Sequence, residues 1–188
     1  MEQQIQIKER KVELCDYMDM VMLICREQRY LLYGFFSFAI LLHVITKDVM
    51  GIIIPLIAIG AFELYIRYRY KKSFKSRAIY QKETITNLTT DFIELMTTDG
   101  SHHSITKWDE IYKVKENKKI VNLMTSDVGG GHFFPKRRLT AEQLTQLESL
   151  IRNKINPKLF AKDNPIKYWG IGVLIQIAIT GLTVLINR

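Results

Sequence analysis

The sequence predicts a membrane α+β protein, with three transmembrane helices and a cytoplasmic antiparallel β-barrel or curved sheet closed by a C-terminal helix. Three observations carry this expectation. Apolar runs of spanning length occur at residues 30–46, 49–66 and 167–187. Lys and Arg crowd the ends that face one side of the membrane. Between residues 84 and 134, within a middle domain of residues 73–162, short strand-like runs alternate with turn signals at hairpin spacing.

Average composition hides this organisation. Over 188 residues, 47% are apolar and 24% charged, which resembles one ordinary soluble domain. The near-neutral mean hydropathy mixes segments almost free of charge with segments charged at every second or third position. The formal net charge is +8 and the sequence pI about 9.4, a balance compatible with nucleic acid, anionic lipid, or a membrane protein with basic cytosolic loops. Cys15 and Cys25 stand ten residues apart in a helical pattern, so neither a disulfide framework nor a metal knuckle is expected. The chain opens Met1-Glu2-Gln3-Gln4 and is charged as far as Arg29, without the order of a cleavable signal peptide, so insertion is expected to use the internal spans.

A hydrocarbon core about 30 Å thick needs about 17–25 apolar residues to cross it as a helix. The first run begins Tyr30-Leu31-Leu32-Tyr33 and ends at Thr46-Lys47-Asp48; the second follows at once, contains Pro55, Gly60 and Glu63, and closes against Arg67, Arg69, Lys71, Lys72, Lys75, Arg77 and Lys82. Three polar residues between them make a hairpin. The third run lacks charge beyond Lys167, and Tyr168 and Trp169 stand where an interfacial aromatic belt is expected.

Orientation follows from the short flanks. Lys8, Arg10, Lys11, Arg26 and Arg29 precede the first span, and seven basic residues follow the second, whereas the hairpin tip holds Lys47 beside Asp48. Lys154, Lys158, Lys162 and Lys167 precede the third span and Arg188 follows it. The N-terminus (1–29) and the middle domain (73–162) are therefore expected in the cytoplasm and the C-terminus outside.

Two polar residues within the spans stand out. Glu63 precedes Arg67 by one turn, a spacing that favours an interfacial pair over a proton or ion relay. His43 lies near the outer end of the first span, with Asp48 its one acidic neighbour, and reads as a tolerated amphipathic residue. Gly170, Gly172 and Gly181 permit close helix packing, so an oligomer is allowed. Ahead of the first span, Ile5-Gln6-Ile7 alternates like a strand, and Leu14, Met18, Val21, Met22 and Cys25 recur at helical spacing. Met18, Met20 and Met22 suit a soft binding surface, but such a stripe more often packs on its own protein.

The middle segment reads as a meander. Strands are expected at 84–88, 92–97, 101–106, 111–115, 120–124 and 132–134, separated by Asp99-Gly100, Asn117-Lys118 and Gly129-Gly130-Gly131. After Pro135 the period changes: Thr140-Ala141-Glu142-Gln143 is a capping box, and Leu144, Leu147, Leu150 and Ile151 share one helix face. Several antiparallel strands followed by one amphipathic helix is the order of pleckstrin-homology (PH)-like domains.

A transmembrane hairpin, the basic stretch, the strand Asp91-Phe92-Ile93-Glu94-Leu95, the segment Ser104-Ile105-Thr106-Lys107-Trp108-Asp109-Glu110-Ile111, and Phe134-Pro135-Lys136-Arg137 ahead of a helix together resemble the bacterial YcxB-like family. The resemblance covers roughly residues 30–154. Its most specific pieces are the unit Trp108, Asp109 and Ile111, and the run from Pro135. The resemblance implies a bacterial cell (inner) membrane, no assigned reaction and no cofactor. The third span is additional to the two-span layout associated with the family.

Trp108 is expected to anchor the core, with Asp109 free to hydrogen-bond the adjoining turn. Lys136, Arg137 and Arg138, together with Arg67, Arg69, Lys71, Lys72 and Lys75, are the candidate face for anionic lipid or a partner. Catalysis finds little support. His102, His103 and His132, with Asp99 or Asp127, lack a ligand spacing that fixes a metal, and the triple glycine leads into a strand rather than a phosphate-binding helix. Nucleic acid is not expected as a partner, because no strand interleaves aromatic and basic residues. Two functions remain: a membrane-tethered interaction or regulatory module acting on lipid or protein, and an immunity protein whose spans neutralise a membrane-acting, pore-forming antibacterial toxin.

Overall fold

A computed structural model describes residues 5–9, 11–126, 130–161 and 164–186, with the Glu9 side chain outside the description. Expectations placed on Arg10, Asp127, Gly129, Lys162 and Arg188 lie outside the described residues. The chain forms two compact units, one of residues 1–23 and 70–162 and the other of residues 24–69 and 163–188.

The first unit is the α+β part. It contains β1 (Ile5–Glu9), α1 (Leu14–Ile24) up to Leu23, the end of α3 (Val49–Ser76), β2 (Thr84–Leu88), β3 (Phe92–Thr97), β4 (His103–Lys107), β5 (Lys113–Glu116), β6 (Ile120–Met124), β7 (Gly131–Pro135) and α4 (Ala141–Lys154). The strands form two antiparallel sheets, β1-β2-β3-β4 and β5-β6-β7. Of the barrel or curved sheet expected, the closed barrel is not what forms: among the described residues seven strands divide into a four-stranded and a three-stranded antiparallel sheet. The change of sheet falls at the Trp108–Glu110 turn, where a 3-10 turn replaces ladder pairing.

β1 pairs with β2, Ile5 opposite Leu88 and Ile7 opposite Thr86, although two long helices separate these strands in sequence. Alternation puts Ile5, Ile7, Leu88 and Ile93 on the inner face of the four-stranded sheet. There they join Val114, Val121, Leu123 and Phe134 of the other sheet and Leu147, Leu150 and Ile151 of α4 in one core. The capping box forms as expected: the Thr140 hydroxyl accepts from the Gln143 N–H, and the Gln143 side chain accepts from the Thr140 N–H. Phe160 makes a parallel bridge to Val114 on the outer edge of β5.

The second unit contains α2 (Arg26–Ile45), most of α3, and α5 (Pro165–Ile186). At 1.5 Å per residue the 20, 28 and 22 residues reach at least about 30 Å, enough for a bilayer core. All three are long and apolar enough to cross a membrane. α3 continues well past the expected end of its span, so the basic residues from Arg67 to Lys75 are helical. α2 and α5 approach to backbone contact. A Cβ added at Gly34 would collide with the Trp169 backbone, and one added at Gly172 with the backbone of Leu31 and Phe35. Gly170 and Gly181 face open space.

Candidate functional site

The last turns of α3 follow from a change in sequence character. After Ile66 the apolar run stops and Arg67, Arg69, Lys71, Lys72 and Lys75 occupy the last turns of the helix. All five are exposed. Such a run at the end of a spanning helix offers positive charge where the hydrocarbon gives way to headgroups.

The other half of the expected basic face is arranged differently. Lys136, Arg137 and Arg138 form a 3-10 turn directly after β7, with Pro135 as its N-cap. The Lys136 ammonium donates to Glu116 at 2.5 Å and to Glu148 at 3.1 Å, tying β5 to α4. Partial burial alone would lower its pKa, but the hydrogen bonds to Glu116 and Glu148 raise it. Arg137 and Arg138 close on Asp16, a carboxylate buried in the first turns of α1. Arg137 Nε donates to Asp16 Oδ1 at 2.8 Å, and Arg138 Nε pairs with Asp16 Oδ2 at 2.5 Å. Glu13 adds ion pairs to Arg137 at 3.0 Å and Arg138 at 3.1 Å. Bonding to Asp16, then to Cys15, raises the Arg137 pKa; the Cys15 thiol, then the charge of Arg138, lower that of Glu13. The run that looked like a free cationic surface therefore docks α1 onto the domain. Local spacing gave no sign of this, because the acids lie more than a hundred residues earlier in the chain.

α1 is seated by aromatic contacts as well. Tyr17 packs 5.3 Å from Phe74 and 5.0 Å from Tyr80, and Tyr80 meets Phe133 of β7 at 6.2 Å. Lys119 Nζ reaches Asp19 at 3.0 Å. Of the α1 methionines, Met20 is buried and Met18 and Met22 are partly buried.

Trp108 is buried as expected, in the 3-10 turn rather than on a strand, and its Nε1 donates to the Thr89 carbonyl at 3.0 Å. Ile111 is buried beside it, whereas Asp109 is exposed. The carboxylate that closes the turn is Glu110, accepting from the Lys107 N–H at 3.3 Å, which corrects the role expected of Asp109.

Within the second unit Glu63 finds a partner that sequence spacing missed. Arg29 Nε donates to it at 2.7 Å and the Tyr33 hydroxyl also bonds it, so the carboxylate links α3 to α2 across the hairpin. Arg67, one turn away, contributes charge but no hydrogen bond. Arg29 also donates to Tyr33 at 3.0 Å, completing a three-membered network. At the other end of the hairpin, His43 Nδ1 lies 3.0 Å from Asp48 Oδ2, and its ring covers Gly51.

Several other ionisable groups are paired within the first unit. His103 bonds Glu94 at 2.8 Å, and His132 is buried against the Thr106 hydroxyl at 2.9 Å. Asp99 is held below the usual carboxylate range by hydrogen bonds from Lys82, then Ser101. Among the described residues, the group that could gather around a metal ion is Glu13, Cys15 and Asp16, and two guanidinium groups already compensate its charge.

Residues 88–151 match the model of a family described as YcxB-like protein, so the resemblance seen in the sequence holds over this stretch. The match includes the Trp108–Ile111 unit and the Pro135–Arg138 run but none of the three long apolar helices. No curated protein and no solved structure matches the chain.

Proposed function

We propose that this is a multi-pass protein of the bacterial inner membrane whose cytoplasmic domain is a non-enzymatic interaction and regulatory module held against anionic headgroups. The observation that carries the reading is the exposed basic run of α3, directly following an apolar helix of spanning length. The pairing of β1 with β2 in one sheet supports a topology with both ends of the hairpin on the same side of the membrane. The excess of Lys and Arg at those ends supports the cytoplasmic side, and an odd third span then takes the C-terminus outside. Strand order and the terminal helix support a PH-like relationship for the domain.

The experiment is lipid analysis of the full-length protein purified in mild detergent from membranes containing phosphatidylglycerol. Enrichment of phosphatidylglycerol that falls in Lys71→Gln/Lys72→Gln/Lys75→Gln supports the module. Equal lipid content in both proteins contradicts it.

One observation favours the immunity reading as the alternative. α3 exposes Ile53, Ile54, Leu56, Ile57 and Leu64, and α5 exposes Leu174, Leu182 and Leu185, an intramembrane surface open to another protein as well as to lipid. Co-purification of a near-stoichiometric toxin from producing cells would establish that reading instead.

A further inference from the structure

The two sheets of the first unit end in four outer edges, and three of these are occupied or blunted. Along β1 the Gln6 carbonyl accepts from Gln143 Nε2 of α4 at 3.2 Å, and along β5 the Val114 carbonyl accepts from the Ala161 N–H at 2.8 Å. β7 carries Pro135, which has no N–H to offer. β4 is the last strand of the four-stranded sheet and contains no proline.

Its register shows which backbone groups stay open. The Thr97 N–H donates to the His102 carbonyl at 2.9 Å, just beyond the Met96–His103 pair. Residues of an antiparallel strand turn both backbone groups alternately toward one neighbour and toward the other, so His102, Ser104 and Thr106 bond β3 while His103, Ile105 and Lys107 turn outward. Glu110 takes the Lys107 N–H at 3.3 Å. Among the described residues nothing pairs with the outward N–H and C=O of His103 and Ile105.

The side chains of His103, Ile105 and Lys107 share the solvent face of the sheet, with Ile105 54% exposed. The strand is held firmly from its other side. Gln6 donates to Asn87 at 3.1 Å, Asn87 donates to Glu94 at 2.8 Å, and Glu94 lies 2.8 Å from His103 Nε2, one side-chain ladder across all four strands. A preformed edge with unpaired backbone groups and an exposed apolar side chain at its centre is the geometry that accepts a strand from another chain. We propose that β4 is a docking edge for an extended segment of a partner protein, paired antiparallel, with an apolar residue opposite Ile105 and an acidic residue opposite Lys107. A second copy of this chain fits poorly, because two β4 edges paired about Ile105 would set Lys107 against His103 twice and give the lysine no acid. The proposal goes beyond the lipid face of α3 and concerns the first unit alone.

The probe is the peptide Glu-Thr-Val-Thr-Thr, acetylated at its N-terminus and carrying fluorescein at its C-terminus, titrated by fluorescence anisotropy into the full-length protein in mild detergent. Saturable binding is expected, with slower hydrogen exchange of the Ile105 amide in the complex. Methylating the valine nitrogen should abolish binding, because that N–H meets the Ile105 carbonyl. Methylating the nitrogen of the preceding threonine, which points away from β4, should leave it intact. Lys107→Glu should weaken binding several-fold, and a peptide with lysine in place of glutamate should recover it. No saturable binding, or binding indifferent to the valine methyl group, overturns the proposal on the unaltered protein. Disulfide-linked dimers of Ile105→Cys, formed without peptide in a Cys15→Ser/Cys25→Ser chain, would also overturn it, since the edge would then belong to a second copy.

Discussion

Ile5 of β1 lies directly opposite Leu88 of β2 in an antiparallel ladder, with the whole α2–α3 hairpin inserted between them in sequence. The outer strand of the four-stranded sheet is thus drawn from the far side of the hairpin in sequence and is an integral part of the core. Ile7 is 2% exposed in that core, so Ile7→Ala should cost about 2–4 kcal/mol of domain stability by denaturant unfolding. A cost under about 0.5 kcal/mol would mean that β1 is not a working member of the sheet.

Asp16 is 1% exposed and faces two guanidinium groups. Asp16→Ala leaves positive charge without its buried partner and should cost about 3–5 kcal/mol. Glu13→Gln, at an exposed side chain, should cost much less. Thermal unfolding of the two variants orders them, and equal effects would remove Asp16 from its central place in seating α1.

His132 is buried against Thr106, and burial lowers its pKa from 6.5 to about 4. Between these values the unfolded chain binds the proton that the folded chain refuses. Stability is therefore fully present above about pH 6.5 and falls as pH drops toward 4, by about 1.4 kcal/mol per unit and about 3 kcal/mol in all. Unfolding midpoints measured from pH 7.5 to 4.5 should show this slope, and His132→Gln should remove most of it.

Gly172 admits the α2 backbone, whereas Gly181 faces open space. Gly172→Leu should separate α2 from α5 and lower the thermal midpoint in detergent, while Gly181→Leu leaves it within about a degree or two, the scale of a surface change. If both variants behave alike, α5 does not depend on close packing against α2.

The features readable from sequence are those with a local cause. Long uncharged runs announce α2, α3 and α5; short apolar runs between turn signals announce β2, β3 and β6; and Thr140 with Gln143 announces the start of α4. The unread features join distant residues. Five residues of β1 do not say which strand they pair with, and Arg29 answers Glu63 from another helix where local spacing nominated Arg67. The Lys136–Arg138 run looks like open charge until Glu13, Asp16, Glu116 and Glu148 are folded against it. Asp109 and Glu110 are equally suited by type to close the Trp108 turn, and only backbone geometry selects Glu110. Division into two sheets was hidden for the same reason, since each strand pair reads alike whether or not the sheets close into a barrel.

The most direct measurement is membrane topology by cysteine accessibility. With Cys15 and Cys25 replaced by Ser, single cysteines at Asp91 in the β2–β3 turn and Lys47 at the hairpin tip, and one appended after the C-terminus, are treated in intact cells with a membrane-impermeant maleimide. The proposed arrangement requires labelling at the tip and the C-terminus, and protection at Asp91 until the membrane is permeabilised. Labelling at Asp91 in intact cells, or a tip protected alongside it, would contradict the account of a cytoplasmic domain carried on a spanning hairpin.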